Sequence, residues 1–151
     1  MALNDDIEFL SGVALFGALD KEQLRLIAFG AEHQNVSQGD TLFQQGDAAD
    51  SAYVITKGNI ELSIETRNGT RQVEVVAGPG AILSELALMT TTERKYLAVA
   101  LNDAEVICIS RSLFHRLVKE YPDMAEAVQS RIRDTIAQLA DKVAGLQNRF
   151  T

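Results

Sequence analysis

Apolar positions along this chain follow a helical period first and a strand period afterwards. In KEQLRLIAF, Leu24, Ile27 and Ala28 share one helical face, and Asp20 stands just before them as an N-cap. From about Asn35 the pattern changes to alternation. Short runs of that kind are Thr41-Leu42-Phe43, Ala52 to Thr56, Asn59 to Glu65, Arg71 to Val76, Leu97 to Leu101 and Glu105 to Ile109. Turn signals separate them at Gly39-Asp40, Gly46-Asp47, Gly58-Asn59, Asn68-Gly69 and Gly78-Pro79-Gly80. Asn68-Gly69 predicts a type I′ hairpin, in which both central residues need positive φ. Many short strands at turn-limited spacing predict a mainly β fold with flanking helices, closed as a jelly roll (a double-stranded β-helix).

The period returns to helical after Ser110, which caps RSLFHRLVKE; Tyr121-Pro122 breaks that helix, and Pro122 suits the first turn of the next. On this last helix Ile132, Ile136, Leu139, Val143, Leu146 and Phe150 recur in alternating steps of four and three. With Ile136 and Val143 at a, the d positions are Ile132, Leu139 and Leu146. Such a seam favours a parallel two-stranded coiled coil, so a homodimer is expected through this helix. The alternative is that the stripe folds back onto the chain's own β-roll. We read one domain over 1–151, with the β-roll at about 35–110 and the C-terminal helices at about 111–150.

Candidate chemistry concentrates between Gly78 and Val99, GPGAILSELALMTTTERKYLAV. Ser84 is expected to cap one short helical turn starting at Glu85. A helix N-terminus carries unpaired N–H donors and partial positive charge, which favour a phosphate. Arg94 returning beside the Glu85 carboxylate would suit a ligand with both an anionic phosphate and a sugar hydroxyl.

Composition narrows the alternatives. A chain of 151 residues, 46% hydrophobic and 23% charged, can bury one proper core. A net charge of −7 argues against a surface that tracks nucleic acid, and Asp134 and Asp141 interrupt the arginines at 131 and 133. The acidic N-terminus does not resemble a signal peptide, and no apolar run approaches a membrane span, so a cytoplasmic location is expected. Cys108, the single cysteine, lies in an apolar strand and reads as a buried thiol. His33 and His115 lack ligand-spaced companions, and no P-loop, dinucleotide fingerprint or nucleophile elbow is present. No metal, no cofactor and no catalytic activity are expected.

These residues resemble the cyclic nucleotide-binding domain family, found in catabolite activator proteins, protein kinase A regulatory subunits and cyclic-nucleotide-gated channels. The resemblance runs from about Phe9 to Phe150. It rests on LFGALDKEQL, on GDTLFQQGDAADSAYVITKGNIELSI and on the cassette GAILSELALMTTTERKYLAVA. It implies that Glu85 bonds the ribose 2′-hydroxyl and that Arg94 pairs with the cyclic phosphate of cAMP or cGMP. Ser84 and the backbone N–H groups of Leu86 and Ala87 would complete the clamp. Lys95 would either supply a second cation or point to water. Three positions depart from the family pattern: Leu83-Ser84 replace Phe-Gly, Glu93 replaces a proline and could compete for Arg94, and Lys95 replaces a small residue. Where the activators place hydroxyl residues over the base, this chain has Leu139 and Ala140, which makes Leu139 the base-capping candidate.

The resemblance thus implies a cyclic-nucleotide sensor that signals through its C-terminal helix. Without a helix-turn-helix segment in the sequence, the expected output is a protein partner or the dimer itself. The alternative is a nucleotide-free dimerisation or scaffold module of the same fold, in which Glu85 and Arg94 pair with each other.

Overall fold

Asp20 does what its position predicts in the computed structural model, which describes residues 3–134. Its carboxylate accepts from the Gln23 N–H at 2.8 Å, and the Gln23 carboxamide accepts from the Asp20 N–H at 3.0 Å. This capping box starts α2 (Lys21–Gly30). Ahead of it lie α1 (Leu3–Ser11) and a 3-10 turn at Ala14–Phe16. Ser110 caps α3 (Arg111–Glu120), its hydroxyl accepting from the Leu113 N–H at 3.0 Å. A further helix, α4, occupies 122–134.

Between α2 and α3 run ten strands. They are β1 (Glu32–Val36), β2 (Thr41–Phe43), β3 (Ala48–Ala49), β4 (Ser51–Lys57), β5 (Ile60–Glu65), β6 (Arg71–Ala77), β7 (Ile82–Leu83), β8 (Thr92–Glu93), β9 (Leu97–Ala100) and β10 (Ala104–Ser110). Two four-stranded sheets have the orders β1-β10-β4-β7 and β2-β9-β5-β6, and β3 pairs with β8. Every pairing is antiparallel. This is the mainly β roll with flanking helices that the alternation predicts.

Two cores explain why these segments hold. Inside the roll, both sheets contribute: Ile55 and Val106 from one, Phe43, Ile60, Leu62 and Ala98 from the other. On the outer face of the first sheet, Ala52, Val54, Ile107 and Ile109 pack against Leu10, Phe16, Ile27, Phe114, Met124 and Val128 from the helices. β4 and β10 are therefore covered on both faces, which strand alternation alone achieves by sending neighbouring side chains opposite ways. Two long contacts tie the N- and C-terminal helices together. Gln23 Nε2 donates to Asp123 at 3.2 Å, and Arg131 Nε donates to the Ala14 carbonyl at 3.0 Å.

Three expectations change. The hairpin after β5 exists, but Asn68 keeps a negative φ and only Gly69, at φ 78°, is left-handed. Gly69 N–H bonds to Thr66 O and Thr66 N–H to Thr70 O, which makes a three-residue loop rather than a type I′ turn. β1 begins earlier than about Asn35, because a strand with one buried residue of five carries no apolar period; its pairing with β10 decides it. Ile132, assigned above to the dimer seam, is 6% exposed and belongs to the chain's own helix-side core with Met124 and Val128. The other seam positions, Ile136, Leu139, Val143 and Leu146, lie outside the described residues, as does Leu139 in its base-capping role.

Candidate functional site

The cassette starts where β7 pairs with β4, Leu83 opposite Tyr53 and Ile82 opposite Val54. The backbone then reverses at Ser84, whose φ of 62° and ψ of 43° make it the one non-glycine left-handed residue among those described. A 3-10 turn follows at Glu85–Leu88, anchored by buried Ala87 and Leu88. The Ser84 hydroxyl makes no capping bond, so the expected side-chain cap is absent. What Ser84 supplies is the bend, at the position where the family resemblance implies glycine. The left-handed conformation accounts for that preference, since glycine has no Cβ to clash there.

Arg94 is placed by its backbone and held by its side chain. Its N–H donates to Asp47 O at 2.7 Å and its carbonyl accepts from Gly46 N–H at 2.8 Å, which locks it onto the turn after β2. Alternation past β8 leaves Glu93 and Lys95 exposed and turns Arg94 inward, to 4% exposure. Inside, Nη1 donates to the Ser51 carbonyl at 2.7 Å and Nη2 to the Ser51 hydroxyl at 3.1 Å. The guanidinium lies 4.7 Å from the Phe43 ring centroid and 5.2 Å from that of Tyr53. Those two rings are themselves stacked at 5.9 Å. Aromatic faces attract a cation more strongly once it is desolvated. Arg94's ion pair is with Asp50, at 3.7 Å, on a side chain that is 82% exposed.

The remaining candidates separate. Glu85 is half-buried, and burial pushes its carboxyl above the ordinary 4.5, with no cation offsetting the shift. Glu85 and Arg94 thus do not form the mutual ion pair of the scaffold alternative. The competitor for Arg94 is Asp50; Glu93 instead pairs in β8 with Ala48 of β3. Lys95 points outward, its ammonium 5.7 Å from the Tyr96 ring centroid, so it is not a second cation beside Arg94. Leu86 is exposed at the turn's surface. Ala87 N–H is engaged by Ser84 O at 3.0 Å, so the turn consumes a donor expected to face the ligand.

Three residues of this site went unnoticed in the sequence. Ser51, Phe43 and Tyr53 make the box around Arg94, and burial raises the Tyr53 phenol while a hydrogen bond to Ser51 works against that. Ser51 and Tyr53 lie two residues apart on β4, but Phe43 comes from β2 of the other sheet and Arg94 from the segment before β9, so the box closes only in the folded roll. Val75 lies elsewhere on the roll, on β6. It lies opposite Leu62 in the β5–β6 register and so shares the inner face, yet it stays half exposed.

The family model described as "Cyclic nucleotide-binding domain" matches residues 33–121. Among curated relatives, the cyclic AMP receptor protein of Thermus thermophilus is 26% identical over 134 residues, covering 86% of this chain and 62% of that protein. The lysophospholipase NTE1 of Chaetomium globosum is 28% identical over 115 residues, 76% of this chain. The match spans only 8% of that much longer protein. A solved structure of a cyclic nucleotide-binding-like protein from Brucella abortus is 48% identical with a TM-score of 0.69, covering 76% of this chain and 98% of that one.

Proposed function

This chain belongs to the cyclic nucleotide-binding domain family, and from that membership we propose that it binds a cyclic nucleoside monophosphate, cAMP or cGMP, as a regulatory sensor rather than an enzyme. The observation that carries the reading is Arg94: a guanidinium buried against two aromatic rings, whose paired carboxylate sits almost wholly in solvent. A buried cation is stabilised by an anion that enters with it, and a cyclic phosphodiester brings one negative charge. Charge-assisted hydrogen bonds of that kind contribute about 1.5–3 kcal/mol each. Glu85 would accept from the ribose hydroxyl, and Leu62 with Val75 would offer an apolar floor to the base. We propose further that the signal leaves through α4 and the residues beyond it to a partner protein or a second copy, in the cytoplasm.

Thermal unfolding with increasing cAMP, cGMP and 5′-AMP tests the binding. A ligand present at about 100 times its dissociation constant adds about 2.7 kcal/mol to stability. In a domain of this size that raises the melting temperature by roughly 5–10 °C. The linear nucleotide is expected to shift it far less. No shift with either cyclic nucleotide at millimolar concentration would overturn the reading.

A second reading keeps the fold but not the ligand. It is favoured by Ser51, which already accepts two hydrogen bonds from Arg94. A scaffold module predicts no thermal shift and a dimer that Leu139→Asp disrupts.

A further inference from the structure

Arg111 is the first residue of α3, yet its side chain is spent on the cassette. Nη1 donates to three carbonyl oxygens: Ala49 of β3 at 3.1 Å, Ala87 of the 3-10 turn at 3.2 Å and Thr90 just after it at 2.9 Å. One nitrogen with two hydrogens serves three acceptors, so at least one of these bonds is shared. Its backbone N–H adds a fourth contact, to Asp50 O at 2.8 Å. Among the described residues the ion pairs are His33–Asp6 and Arg94–Asp50, so Arg111 has no carboxylate partner. Its charge is met by carbonyl dipoles, two of them at the C-terminal side of the cassette turn, where such dipoles favour a cation.

The same short stretch is therefore held from two directions. Arg94 grips Ser51 and faces Asp50, while Arg111 bonds the Asp50 and Ala49 carbonyls and the far side of the cassette. Behind Arg111, Leu113, Phe114 and Leu117 of α3 share one core with Leu88 of the cassette and with Met124 and Val128 of α4. Apolar contact alone allows the turn to slide over that core. The two directed hydrogen bonds to Ala87 and Thr90 do not.

We propose that Arg111 is a positioning residue that couples the cassette to the C-terminal helices, making Glu85–Thr90 and α3 open and shift as one unit. On the nucleotide reading, a ligand drawing on Arg94 and Glu85 is then felt at α4 through Arg111. Leu88 and the helix-side core keep both parts folded without it, so removing the guanidinium uncouples them rather than unfolding the chain.

Hydrogen exchange read by mass spectrometry on the full chain tests this with Arg111→Met and Arg111→Lys, each checked for folding by circular dichroism. Without ligand, Arg111→Met is expected to speed exchange at Leu88, Met89 and Thr90 about tenfold or more, with α3 changed less than about twofold. Arg111→Lys, which keeps the charge but not the fork, is expected to fall between. If Arg111→Met does not fold, the lysine variant is judged by the same criterion. With cAMP or cGMP, the native chain should be protected in both the cassette and 122–134, and Arg111→Met in the cassette alone. Unchanged cassette exchange in the variants, equal acceleration of cassette and α3, or undiminished protection of 122–134 would overturn the coupling. Absence of any protection in the native chain would refute the nucleotide reading, and the ligand-free comparison would still decide the coupling.

Discussion

At φ 62° and ψ 43°, Ser84 holds its Cβ against the following carbonyl, a clash that Ser84→Gly removes. An L-residue in the left-handed region loses about 1–2 kcal/mol relative to its ordinary conformations. Glycine gives back about 0.5–1 kcal/mol through the greater freedom of the unfolded chain. The net gain is about 0.5–1 kcal/mol, which in a domain of this size raises the melting temperature by about 1–4 °C. Ser84→Ala separates this account from a capping role. The hydroxyl makes no capping bond, so alanine keeps the strain and changes stability by less than about 0.5 kcal/mol. A true N-cap would lose about 1 kcal/mol on the same change. Scanning calorimetry of the three proteins at one concentration reads both effects. A lower melting temperature for Ser84→Gly, or a fall of several degrees for Ser84→Ala, would refute the reasoning.

Glu85 and Gly58 give two more expectations. Burial raises the Glu85 carboxyl above 4.5, so the folded chain holds that proton more readily than the unfolded one. Its contribution to stability is fully present below pH 4.5 and is lost as pH rises through the folded value, so Glu85→Gln should stabilise the free protein at neutral pH in urea titrations. Nucleotide binding runs the other way, because the ionised carboxylate is the better acceptor: calorimetric affinity should fall as pH drops towards the raised pKa, and the Glu85→Gln profile should be flat. A Cβ at Gly58, which has φ 82°, would lie 2.6 Å from Asp103 O and 2.8 Å from Ala104 Cα. Since those are backbone atoms that cannot turn aside, Gly58→Ala should lower stability by more than about 2 kcal/mol in the same titrations.

What the sequence made legible depended on how local the cause was. Caps and turns are local, so Asp20 and Ser110 start the helices expected of them, and six alternating runs are strands within a residue or two. β3 and β8 are two-residue strands of a single pairing, and β1 carries almost no buried face; none has a period to detect. Within the site, Glu85 and Arg94 stood out because the cassette GAILSELALMTTTERKYLAVA resembles that of the family. The partners of Arg94 did not, because Ser51, Phe43 and Tyr53 meet it across the roll from two different sheets, which no local pattern encodes. Ser84 was misread for a related reason: serine before a short turn reads as a cap, and only the backbone angles reveal a left-handed bend. The heptad stripe likewise mixes causes, for Ile132 keeps the period while packing on its own chain.

Arg94→Ala in titration calorimetry with cAMP and cGMP tests the central claim most directly. The account predicts saturable heat for the folded native chain, with a dissociation constant in the micromolar range or below for at least one nucleotide. Loss of two or more charge-assisted hydrogen bonds in Arg94→Ala should weaken that affinity by about 100-fold or more. No heat from the native chain with either nucleotide, or equal affinity in a folded Arg94→Ala protein, would contradict it.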